Sequence, residues 1–91
     1  MDIDYDADKD EINRFKHRLP LAFGARVFED EEHVVVPSFR EVDAEERYKA
    51  IGVIDGKLHT VVHVWRGDVI RLISVRRSNG SEERRYNLDT G

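Results

Sequence analysis

The 91-residue chain contains no cysteine. Disulfide staples, thiolate metal sites and a cysteine nucleophile are therefore excluded, and a reducing compartment suits such a chain. Long hydrophobic runs are missing too. Apolar runs such as Val34 to Val36 and Val61 to Val62 fall far short of the roughly 20 apolar residues that span a bilayer. The N-terminus is acidic, the reverse of a secretory leader, so the expectation is a cytoplasmic protein with no membrane association. There is no internal repeat, low-complexity tract or linker, which leaves one domain over 1–91. A domain of this size buries roughly 60–65% of its unfolded surface, so its core is thin. No glycine loop that could cradle a phosphate and no nucleophile elbow is present. His17, His33, His59 and His63 are not at helical ligand spacing with a carboxylate, and His59 and His63 lie about 13 Å apart along one strand face. Neither a metal nor another cofactor is expected.

What the chain does have is charge, unevenly placed. Residues 1–46 hold 14 acidic and 6 basic residues, and residues 47–91 hold 5 acidic and 9 basic, against a net charge of −4 for the whole. An acidic first half beside a basic second half permits one basic face on an acidic protein.

The pattern of elements is α+β. Ile3 and Tyr5 alternate with three aspartates, as in a short edge strand. Asp6 is placed to cap a helix over 7–17. Pro20 suits the first turn of a second helix over about 20–29, whose apolar stripe is Leu21, Ala22, Ala25 and Phe28 and whose acidic end near Glu29 stops it. A β-branched strand over 33–36 ends at Pro37, and a charged loop fills 37–46. Strands over 47–54, 57–66 and 69–77 are joined by Asp55-Gly56 and Gly67-Asp68, both tight-turn signals. Asn79 with Glu82 reads as a capping box opening a last helix over about 80–88. The expected architecture is an antiparallel meander with two N-terminal helices and one short C-terminal helix.

With two-residue turns, the pleat places Arg47, Lys49, Arg66, Arg71, Val75 and Arg77 on one face and Tyr48, His59, His63, Trp65, Ser74 and Arg76 on the other. Guanidinium forks fit phosphate and stay charged. Several of them beside a group able to move protons (His17, Lys16, Glu46, His63 or Tyr86) match the needs of metal-free RNA cleavage. There, cations stabilise the charge that builds at phosphorus, and a positioned acid–base moves protons. Arg47, Arg66 and Arg71 could converge on one phosphate, with Arg76 set apart.

The order Tyr5-Asp6, Lys9, Asn13, Lys16-His17, Phe23, Ala25, Val27-Phe28 and Asp30 resembles the N-terminal half of the BrnT family. Glu46-Arg47, Gly52, Val61-Val62, Arg66-Gly67-Asp68, Ile70-Arg71, Ile73-Ser74, Arg76, Glu82 and Tyr86 continue the resemblance. Arg18, Val64, Trp65 and Glu83 depart from the family's usual residues. The resemblance implies a RelE-like ribonuclease toxin of a type II toxin–antitoxin pair that cleaves RNA without a metal and inhibits translation. It further implies a BrnA-like ribbon-helix-helix antitoxin that neutralises the toxin and carries it to operator DNA. On this reading the catalytic candidates are Arg47, Arg66, Arg71, Arg76, His17 and Glu46. Lys16, Lys49, Arg77 and Tyr86 are RNA-binding candidates. The alternative is a catalytically weak binding module that acts only through the antitoxin complex.

Overall fold

Alternating aspartates on a short apolar segment give strand β1 (Asp2–Tyr5), and Asp6 turns the chain into helix α1 (Ala7–His17). In the computed structural model, which describes residues 2–38 and 45–90, Asp6 is extended and its carboxylate accepts from the Asp8 N–H at 2.8 Å. The cap thus satisfies one of the N–H groups that a helix start leaves without an internal partner. Helix α1 ends on Arg18, in the left-handed region at φ 62. Pro20 lies one residue outside the next helix, in extended backbone, rather than in its first turn. That helix, α2 (Leu21–Gly24), tightens at once into a 3₁₀ turn (Ala25–Glu29). The change comes at Gly24, where a Cβ would sit only 3.0 Å from Val61 Cγ2 and 3.1 Å from Val75 Cβ. The segment lies flat against the sheet at that point, and it stops at Glu29 as the acidic run requires.

Strands β2 (Val34–Pro37), β3 (Tyr48–Ile54), β4 (Lys57–Arg66) and β5 (Val69–Arg77) follow, then helix α3 (Gly80–Thr90). Of the charged loop expected over 37–46, residues 39–44 lie outside the described residues. Asp55 and Gly56 both have positive φ, the type I′ pattern that matches strand twist. None of the described helices is long and apolar enough to cross a membrane.

The sheet departs from a pure meander. Its order is β1-β5-β4-β3-β2, and β1 runs parallel to β5, from Asp2 beside Val69 to Tyr5 beside Leu72. The protein is therefore α+β with a five-stranded mixed sheet, and one strand precedes the helices. Residues 2–5 add to the far edge of β5 because that register puts Ile3 against the core and Asp4 beside Arg71.

A second departure matters more for the site. The β4–β5 ladder shifts between Val62 and His63, so that His63 faces Leu72, Val62 faces Ser74, and Ile73 has no partner. One extra residue reverses every later side chain. Val75 and Arg77 therefore join the face of Val61 and His59, and Ser74 and Arg76 join the face of Val62 and Thr60. The uniform alternation expected from two-residue turns had them the other way round.

Each sheet face then has its own cover. Under α1, α2 and the 3₁₀ turn lies the main core of Leu21, Val27, Ala50, Ile54, Val61, Ile70, Leu72 and Val75. Under α3 lies a smaller one of Val34, Ile51 and Tyr86. The one buried residue of α1 is polar: Asn13, 3% exposed. Its amide donates to the Leu19 and Val75 carbonyls at 2.9 Å each and accepts from the Val75 N–H at 3.0 Å. Strand β1 ends its pairing at Leu72, so Asn13 serves the β5 backbone that β1 no longer reaches. Asn13→Ala leaves three backbone partners unmet, the two of Val75 buried, and is expected to lower unfolding stability by about 2–4 kcal/mol. Urea denaturation followed by circular dichroism measures this.

Candidate functional site

The face shared by α3 and the open part of the sheet collects cations from three strands. Arg66 lies opposite Val69, and Arg71 opposite Val64. The two arginines are thus diagonal neighbours on adjacent strands, within about 7–8 Å of each other. Extending the β3–β4 register one residue past Tyr48, which faces His63, brings Arg47 level with Val64 and Arg71. Arg66 and Arg71 therefore share one face at one end of the sheet, and Arg47 adjoins that end just before β3. Further along the same face, Lys49 is opposite Val62 and Arg76 opposite Thr60.

The cations are not equally available. Arg66 donates to Glu45 at 2.8 Å and Arg71 to Asp4 at 3.1 Å, each pair being about half exposed on its carboxylate side. Pairs of this kind contribute about 0–1 kcal/mol and are screened by salt, so an incoming anion can replace the carboxylate. Arg76 is held differently. Its two guanidinium nitrogens reach both oxygens of Glu82 at 2.7 and 2.8 Å, and Glu82 is only 3% exposed. The same carboxylate accepts from the Thr60 hydroxyl at 3.0 Å and the Asn79 N–H at 2.9 Å, and stands 3.2 Å from Lys49 Nζ. The Asn79 Oδ1 in turn accepts from the Glu82 N–H at 3.0 Å, which completes the capping box. Burial pushes the Glu82 carboxyl up, but Arg76, Asn79, Thr60 and Lys49 outweigh it and bring it down to about 2. Arg76 and Lys49 are consequently structural partners of Glu82.

The groups able to move protons separate as well. Glu46 is next to Arg47 and accepts from the Tyr48 hydroxyl at 2.8 Å, in a small pocket of about 140 Å³ that Pro37 and Arg47 also line. The bond to Glu46, followed by its charge, raises the phenol. His17 is elsewhere, at the end of α1 on the other face, lining a cleft with His59 and Arg77. Lys16 is exposed on α1 beside Phe15. Tyr86 is buried and donates to Asp30 at 2.7 Å; burial, then that bond, pushes it up to about 12. This position packs α3 and offers no contact to a ligand. His63 is 1% exposed, stacked on Tyr48 and edge-on to Phe28. Burial pushes its imidazole below the ordinary histidine range, against a smaller upward pull from Val61. Of the expected site residues, the structure thus brings Arg66 and Arg71 together and places Arg47 level with them by register, while Glu46, next to Arg47 in the chain, is bonded to Tyr48; Arg76, Lys49, Tyr86, His17, Arg77 and Lys16 are held away from them. Sequence reasoning missed Asp4 and Glu45 as internal counterions. The parallel pairing of β1 that presents Asp4 has no local signal.

A family model described as ribonuclease toxin, BrnT, of type II toxin-antitoxin system matches residues 5–82. No curated protein matches the chain.

The depressed Glu82 carboxyl sets a pH window. Its contribution is complete above the unfolded value of 4.5 and is lost as pH falls from there to about 2. That difference corresponds to about 3 kcal/mol. Unfolding stability should fall by that order between pH 5 and 2 in the wild-type protein. Glu82→Gln should cost about 2–4 kcal/mol at neutral pH, because it leaves Arg76 uncompensated, and should flatten the acid limb. Urea titrations at a series of pH values check both.

Proposed function

The chain belongs to the BrnT family of ribonuclease toxins of type II toxin–antitoxin systems, and from that premise we propose that it cleaves RNA without a metal ion at the arginine-bearing end of the sheet. The observation that carries this reading is the grouping of Arg47, Arg66 and Arg71, two of them held only by exposed carboxylates that an RNA phosphate can replace. The ribose 2′-hydroxyl attacks the adjacent phosphorus, its proton passes to Glu46, and the arginines stabilise the extra negative charge. The P–O5′ bond then breaks, leaving a cyclic phosphate on one product and, once protonated, a 5′-hydroxyl on the other. In this reading the domain, RelE-like in fold, acts in the cytoplasm and stops translation by cutting RNA. A BrnA-like ribbon-helix-helix antitoxin covers the arginines and links the pair to operator DNA.

A second reading has its own observation. The described histidines lie away from Arg66 and Arg71, and Val64 between them is 2% exposed and offers no polar group. A domain so built could serve only as the antitoxin's partner. Cleavage separates the two. Protein freed from its antitoxin and supplied with a chelator should cut RNA to cyclic-phosphate ends, and Arg71→Ala should slow this by about 100-fold. A stable antitoxin complex together with a free protein that leaves RNA intact would establish the second reading.

A further inference from the structure

We propose that the cleft between the end of α1 and the β3–β4 hairpin is a second docking site for RNA phosphate, separate from the arginine end. The proposal rests on the ribonuclease reading and extends it to the other sheet face. The cleft, about 350 Å³, is lined by His17, Arg18, Asp55, Lys57, His59 and Arg77. Its cations come from three places in the chain. Arg18 caps α1, Lys57 opens β4, and Arg77 closes β5, where the bulge turns it toward this face opposite His59. The negative end of α1 accounts for a cation at Arg18. It does not account for those brought in by two strands.

These cations are uncommitted, unlike those at the arginine end. Among the described residues, Arg18, Lys57 and Arg77 have no carboxylate within ion-pair distance. The one acid in the lining, Asp55, is chelated by Arg26 at 2.7 and 3.1 Å, so its charge is already met. Arg26 in turn lies over the Phe23 ring, 5.6 Å from its centroid. Arg18 adds an independent sign. It sits at φ 62, where glycine meets less strain than any L residue. Arginine there gives up backbone comfort and places a guanidinium at the cleft. The floor is formed by Leu19, Phe23 and Ile54, an apolar surface suited to a ribose or base edge between phosphates. Lys57 and Arg66 lie at opposite ends of β4, about 30 Å apart. One RNA strand crossing the molecule could therefore be gripped here and cut at the other end.

The test uses the full chain and a fluorescent 2′-O-methyl RNA, which lacks the nucleophile and stays intact. Binding is measured over a salt series for wild type, Arg18→Gly and Lys57→Ala. Each variant should bind several-fold more weakly at low salt, and the slope of log affinity on log salt should shrink by about 0.7 per cation removed. Arg18→Gly should at the same time raise the melting temperature, so weaker binding cannot be ascribed to misfolding. On cleavable RNA, both variants should keep the wild-type rate at saturation and show a raised KM. Wild-type affinity and slope in both variants would overturn the docking site. So would a loss of antitoxin binding with RNA binding unchanged, which would assign the cleft to an acidic protein segment. A loss of rate at saturating RNA would make the cleft the catalytic centre instead. A wild-type protein that binds no RNA at all would overturn the ribonuclease reading itself.

Discussion

Glu82 is the carboxylate on which the rest of the structure depends. It opens α3, reaches β5 through Arg76, β4 through Thr60 and β3 through Lys49, and has almost no exposure of its own. A buried carboxylate is costly unless each oxygen is satisfied. Here two bonds from one guanidinium, a hydroxyl, a backbone N–H and an ammonium meet it, and the low pKa follows from that set. Without Glu82, α3 would keep only Tyr86 and its small apolar patch as an anchor to the sheet. The same constraint divides the basic face. Cations tied to Glu82 build the fold, and those beyond its reach are left for function.

At the other layer, Asn13 has the corresponding role. It continues the hydrogen bonding of β5 past the end of β1, which lets α1 lie on the sheet with little apolar surface of its own. Both devices are single polar side chains satisfied on several sides, as a domain with a thin core requires.

Features decided locally were legible in the sequence. The Asp6 cap, the Asp55-Gly56 turn, the bounds of β4 and β5 and the Asn79–Glu82 box each depend on residues a few positions apart, and each appears as expected. What escaped depends on distant partners. The parallel docking of β1 and the bulge at Ile73 leave no periodic mark, because a single unpaired residue is invisible to an alternation rule. The bulge alone decides that Arg76 joins Lys49 and Glu82 and that Arg77 joins His59. Arg66 and Arg71 pair with Val69 and Val64 on the near side of that bulge, so it leaves their shared face unchanged. His17 was misplaced for a different reason: helix-end residues carry no indication of which sheet face their helix will cover.

The two ends of the sheet thus present different chemistry. At one, arginines are held in place by exposed carboxylates that can be exchanged; at the other, cations that have no ion-pair partner among the described residues surround an apolar floor. The central claim is that Arg66 and Arg71 can release their carboxylates to a phosphate while Arg76 cannot. Guanidinium NMR signals of the three residues, followed as uncleavable 2′-O-methyl RNA is added, test this directly. The Arg66 and Arg71 signals are expected to shift with saturation while the Arg76 signal stays at its free-protein position. A shift of Arg76 with Arg66 and Arg71 unmoved would contradict it.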